Sequence, residues 1–151
     1  MGERDARDSA LEAGALEAGL AALRYRDLSE HDLAQKLAAR GLGDDEREEA
    51  VATLRRTGLV DDRRFAEGSA AALASRGAGD ALIKDTLERT GVAADLITCA
   101  VEALEPEGER ACAIAERRGL GPKTARYLRS KGFSGETIAE LVAKESRDEL
   151  G

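Results

Sequence analysis

Three stretches of the chain can be laid over one another without a gap: LAARGLGDDEREEAVATL from Leu37, LERTGVAADLITCAVEAL from Leu87 and LRSKGFSGETIAELVAKE from Leu128. In each, a leucine is followed four residues on by a glycine (Gly41, Gly91, Gly132) and then by an apolar residue (Leu42, Val92, Phe133). Nine and ten residues after the glycine stands an apolar pair: Ala50 and Val51, Ala100 and Val101, Leu141 and Val142. A glycine just past a helix end takes the left-handed conformation that closes the last turn, and the apolar residue after it packs back on that turn. Each stretch therefore reads as helix, closed turn, helix. Arg26, Arg76 and Arg117 stand eleven residues before the three leucines, each near the end of a further helical pattern. The unit is three helices, repeated three times.

This spacing predicts helices near 10–25, 30–40 and 44–57, then 61–76, 80–90 and 94–105, then 108–118, 122–131 and 135–147. Composition agrees, since alanine, leucine, glutamate and arginine dominate and only Pro106 and Pro122 interrupt them. The fold expected is all-α: three tandem three-helix repeats over 1–58, 59–106 and 107–151, stacked into an elongated, curved array. Leu16, Leu20 and Leu23 mark the core side of the first helix, and Leu96, Ile97, Ala100, Val101 and Leu104 that of the sixth. Ser29 is placed to cap the second helix, with Leu28 and Leu33 as its hydrophobic staple.

The junction GLVDDRRFAE, Gly58 to Glu67, fits the same logic. Gly58 closes one helix, Leu59 makes the returning apolar contact, Asp61 caps the next helix, and Asp62 sits at the positive end of its dipole. Val60 and Phe65 then occupy staple positions, with Phe65 expected in the core. Adjacent carboxylates at a helix start diverge, so Asp61 and Asp62 are poor candidates for paired acid–base chemistry. Arg63 and Arg64 are not needed by the cap and are free for a partner.

The formal net charge of −7 is unevenly spread. From Arg110 to Lys131 there are seven basic residues and one acid, Glu116. A basic region on an acidic chain marks a place where an anionic partner is met. The contact residues read from this bias are Arg117, Arg118, Lys123, Arg126, Arg129 and Lys131, joined by Arg63, Arg64 and Arg76 from the middle repeat. Tyr127 lies among them, where an aromatic ring can stack on a base. Base-specific readout is poorly served, because asparagine is absent and Gln35 is the only glutamine.

Other motifs point to no chemistry. Cys99, Cys112 and the single histidine, His31, make no metal-ligand spacing; the cysteines are expected as small core residues and His31 as an exposed polar one. The RGLG and RGAG loops lack the preceding strand and following Lys-Ser/Thr of a phosphate-binding loop. No catalytic group, metal or cofactor is expected. No apolar run is long enough to span a membrane and the charged start is unlike a secretory signal, so a cytoplasmic protein is expected.

The run G-L-V-D-D-x-R-F-A, here Gly58, Leu59, Val60, Asp61, Asp62, Arg63 at the variable position, Arg64, Phe65 and Ala66, resembles the signature of the RecX family, regulators of the bacterial recombinase RecA. The resemblance continues in RDLSEHDLAQKLAARG and LRSKGFSGETI, in the family's order, over about residues 16 to 145. It implies a non-enzymatic, monomeric protein of tandem three-helix repeats, with a role in DNA repair, homologous recombination and the SOS response. Such a protein would bind along the RecA filament, reach single-stranded DNA through it, and inhibit recombination, ATP turnover and coprotease activity. From the residues alone, a helix-turn-helix DNA-binding regulator and a protein-only helical adaptor stay open beside it.

Overall fold

The computed structural model describes residues 2–150, and among them the structure is helical throughout, with no strand. The elements are α1 (Gly2–Leu23), α2 (Glu30–Ala39), α3 (Asp44–Arg56), α4 (Asp62–Ser75), α5 (Asp80–Arg89), α6 (Ala94–Glu102), α7 (Glu107–Arg118), α8 (Pro122–Ser130) and α9 (Gly135–Leu150). Each helix expected from the sequence has a counterpart here, though α1 starts well before residue 10. Gly41, Gly91 and Gly132 all have positive φ, near 86°, 76° and 89°. In the first and third, the bonding is that of a helix closed by glycine: Leu42 N–H donates to the Leu37 carbonyl and Phe133 N–H to the Leu128 carbonyl.

The chain forms two compact units, one running to Phe65 with Thr90–Val92 added, the other comprising Ala66–Arg89 and the chain from Ala93. In the first, α1, α2 and α3 pack on one another around Leu28, Leu33, Leu37, Val51, Leu54 and Val60. Ser29 caps α2 as expected, its Oγ accepting the Asp32 N–H at 3.1 Å. The same hydroxyl donates to the Thr90 carbonyl at 2.6 Å, so a fully buried polar group is satisfied on both sides. Leu28 and Leu33 are both buried. The cap is thus also the point where the α5–α6 turn joins the unit.

Several expectations are corrected. In α1 the buried stripe is Ala15, Gly19 and Ala22, while Leu20 is 44% exposed and Leu16 and Leu23 are half-buried. Small residues face inward because α3 lies close: a Cβ on Gly19 would stand 2.7 Å from Leu54 Cδ1. The helix also begins at Gly2, well before the apolar pattern does, carried by good helix formers that remain exposed. At the junction, the inward contact after Gly58 is Val60 and not Leu59, which is 49% exposed. The N–H groups of both donate to the Leu54 carbonyl, which turns Val60 into the core. Phe65 is half-buried rather than internal, Cys99 is exposed and Cys112 is only partly covered.

In the second unit, α5 packs on α6, and α7, α8 and α9 enclose Ala111, Ile114, Ala115, Leu128, Phe133, Ile138 and Leu141. The turn before α5 crosses the turn before α9 backbone to backbone, with Gly79 N–H on the Lys131 carbonyl at 2.7 Å and Ala81 N–H on the Gly132 carbonyl at 3.2 Å. A side chain on Gly79 would run into the backbone of Gly132 and Phe133.

One capping device occurs in both units. The first N–H of α2, on Glu30, is accepted by Asp62 at 2.8 Å, and the first N–H of α5, on Asp80, by Glu107 at 2.7 Å. In each case the acid is the first residue of the helix that opens the next repeat. Glu107 also accepts the Ser134 N–H and the Thr137 hydroxyl, which ties the start of α9 to the same carboxylate. Arg110, nine-tenths buried, donates to Asp80 and lies 5.8 Å from the Phe133 ring centroid.

Candidate partner-binding surface

Three of the expected basic residues of the second unit meet at the C-terminal ends of α4 and α7. Arg117 and Arg118 occupy the last turn of α7, where the helix dipole favours cations, and Gly119 ends the helix. Arg76 follows α4. These three guanidinium groups, with Ser75, Gly77, Ile114 and Tyr127, line one cleft of about 290 Å³, and no acidic side chain lines it. All three arginines are exposed.

Tyr127 holds this geometry in place. The Arg118 guanidinium carbon lies 3.7 Å from the Tyr127 ring centroid, so cation and ring are stacked. The ring is half-buried, and its hydroxyl and the Lys131 Cε both lie beside Gly77. One face of the aromatic is therefore already covered by the chain's own arginine. On α8, Lys123 and Lys131 share the side of Tyr127 by helical spacing, while Arg126 and Arg129 point away from the buried Thr124 and Leu128. Lys123, Arg126 and Arg129 are exposed and Lys131 is half-buried.

Other members of the expected set separate. Arg110 heads the basic run in sequence but is internal and paired with Asp80. Arg63 and Arg64 fall in the first unit. Arg63 is exposed, but Arg64 is not free: its guanidinium donates to the Gly58 and Leu59 carbonyls and to both carboxylate oxygens of Asp27. The hydrogen bond to Asp27, and then its charge, raise the Arg64 pKa further. This arginine latches the junction. Asp61 caps α4 as expected, accepting the Arg64 N–H at 3.1 Å. Asp62 instead serves α2, and burial pushes its carboxyl above the usual range, against the pull of the Glu30 N–H. The aspartates of the motif are thus consumed by two helix starts.

Sequence reading gave Tyr127 as a ring able to stack on a base, not as a platform for Arg118, and it missed Glu107 as a triple acceptor and Asp80 as the partner of Arg110. Each depends on residues nine or more positions apart, beyond any helical spacing. Among the described residues no cluster of His, Cys, Asp or Glu is placed to hold a metal ion, and no helix is long and apolar enough to cross a membrane. His31 is exposed, hydrogen-bonded to Gln35.

An all-helical chain of glycine-closed repeats carrying an acid-free arginine cleft defines a class: a helical-repeat protein with a cationic cleft. No protein-family model matches it. Curated relatives do. The chain is 30% identical over 143 residues to the regulatory protein RecX of Stenotrophomonas maltophilia strain R551-3, with 88% of each chain covered. It is 33% identical over 146 residues to the regulatory protein RecX of Halorhodospira halophila, covering 89% of this chain and 91% of that one. The crystal structure of RecX from Lactobacillus salivarius has the same fold, with a TM-score of 0.77 at 20% identity over 90% of this chain and 97% of that one. The chain belongs to the RecX family of regulatory proteins.

Proposed function

We propose that this protein is a non-enzymatic negative regulator that binds the filament of the RecA recombinase on single-stranded DNA and restrains its recombinase, ATPase and coprotease activities. The observation that carries the reading is the gathering of Arg76, Arg117 and Arg118 into one acid-free cleft on a chain of net charge −7. An acidic protein is repelled by an anionic nucleoprotein filament unless a local positive surface faces it. Lys123, Arg126 and Arg129 on α8, the half-buried Lys131 after it and the exposed Arg63 of the first unit are the further charges this reading assigns to the partner. The reading makes the protein cytoplasmic and active as a monomer.

The test is co-sedimentation with RecA assembled on single-stranded DNA, beside RecA alone and DNA alone, with ATP turnover followed in parallel. The filament should retain the protein and lose turnover, with weakening as salt is raised. Reversing Arg126 and Arg129 to glutamate should abolish both effects while leaving the melting temperature of the protein unchanged. Equal retention on DNA alone with preference for one sequence would favour a DNA-binding regulator instead. Retention with no salt dependence would favour a protein-only adaptor.

A further inference from the structure

The arginine cleft does not end at Arg117. A second cavity of about 330 Å³ shares Ser75, Gly77, Ile114 and Arg117 with it and continues between α4 and α7. Its walls are methyl groups: Ala71 and Ala74 from α4, Ala113 and Ile114 from α7. Leu104, Glu105 and the largely buried Arg110, which is paired with Asp80, line it as well. The two cavities form one furrow, with Arg76, Arg117 and Arg118 in one part and a trough walled mostly by methyl groups in the other. The trough exists because α4 is built from alanines, which leave the space between the helices unfilled.

We propose that this furrow receives an acidic segment of a partner protein, its carboxylates on Arg76, Arg117 and Arg118 and one apolar side chain in the alanine trough. The inference rests on the reading that the basic surface is the partner contact, and adds the chemistry of what is contacted there. Arginine forks match carboxylates in bidentate fashion, and an apolar anchor beside a charged rim is the arrangement by which grooves between helices capture peptides. Charge and shape disfavour a nucleic-acid strand in the same place. A strand needs a continuous positive track and an open aromatic face. Here one face of Tyr127 is covered by Arg118, and the alanine methyls of the trough interrupt the positive track.

The experiment is fluorescence anisotropy with three labelled probes. They are a short glutamate–serine peptide with one central leucine, the same peptide with that leucine replaced by serine, and an oligothymidylate of equal length. Each is titrated with the parent protein, with Ala113→Trp, with Ala71→Leu and with the double variant Arg117→Glu, Arg118→Glu. Ala71 and Ala113 are exposed, so filling the trough from either wall leaves the core untouched; the helical circular dichroism signal checks that the variants fold. The leucine peptide should bind the parent about tenfold more tightly than the serine peptide, and each variant should lose about tenfold in affinity for it. Tighter binding of oligothymidylate than of the leucine peptide overturns the proposal. So does leucine-peptide affinity unchanged in both trough variants, or no peptide binding by the folded parent.

Sedimentation of the same proteins with RecA filaments separates the two readings. A parent that takes up the peptide but ignores filaments removes RecA and keeps the furrow. Filament binding that both trough variants retain in full, without peptide binding, keeps RecA and removes the furrow.

Discussion

The guanidinium of Arg118 is stacked on the ring of Tyr127, with 3.7 Å between its central carbon and the ring centroid. A cation held this way keeps its N–H edges outward and loses little freedom when a carboxylate or phosphate arrives. Replacing Tyr127 by leucine should therefore weaken partner binding even though every charge remains, because Arg118 loses its platform. Arg118→Ala should weaken binding at least as much while costing less than about 1 kcal/mol of stability, the scale of an exposed cation–π contact. Urea titration and filament co-sedimentation of the two variants check this. Full binding by Tyr127→Leu would show that the stack positions nothing.

Glu107 gives a pH dependence with a definite sign. Burial alone would raise its carboxyl, but the N–H groups of Ser134 and Asp80 and the hydroxyls of Thr137 and Ser134 together hold it below the ordinary glutamate value. A depressed folded-state pKa contributes stability that is present above the unfolded value of about 4.3 and is lost as pH falls through the folded one. Glu107→Gln should be less stable than the parent at pH 7, by about 1 to 2 kcal/mol for the weakened bonds. It should also show a shallower decline on acidification below about pH 4. Parallel stability–pH curves for the two proteins would contradict the assignment.

Arg64 and Arg63, adjacent in sequence, should separate in function. Arg64→Ala unlatches Asp27 and the carbonyls of Gly58 and Leu59, at a cost of at most about 1 kcal/mol because the ion pair is exposed. Its inhibition of ATP turnover should match the parent's under conditions where both are folded. Arg63→Glu should leave the melting temperature unchanged and raise the concentration needed for inhibition. The opposite pattern would return Arg64 to the contact surface.

Gly79→Ala should be far more damaging than an exposed glycine change. Its Cβ would meet the backbone of Gly132 and Phe133, which cannot rotate away as a side chain can. A loss of about 3 kcal/mol or more is expected. Gly68→Ala on α4, where a Cβ meets nothing within 4 Å, should be neutral or stabilising and serves as the comparison. Calorimetric melting of the pair decides it.

Much of the fold was legible because glycines and caps act over a few residues. Gly41, Gly91 and Gly132 announce their turns, and Ser29 and Asp61 their helices, through local hydrogen bonds that sequence spacing describes directly. The side that α1 buries was not legible. Hydrophobicity pointed to Leu16, Leu20 and Leu23, whereas the close approach of α3 selects Ala15, Gly19 and Ala22, a matter of volume that depends on a neighbour thirty or more residues away. The basic surface was legible as a bias in charge. That Arg110 and Arg64 are paired with acids of the chain itself, and that Tyr127 serves Arg118, follows only from the folded packing.

Asp62 and Glu107 have a further consequence. Each closes a helix of the repeat before its own, so the period written in the sequence and the segment able to stand alone are out of phase. A chain stopped at residue 58 would contain every residue of its first repeat yet leave the opening N–H of α2 without its acceptor. The same chain continued past Asp62 would restore it. Excision along the sequence period thus opens a helix terminus at every cut, whereas cuts placed a few residues later, inside the following helix, keep that terminus capped.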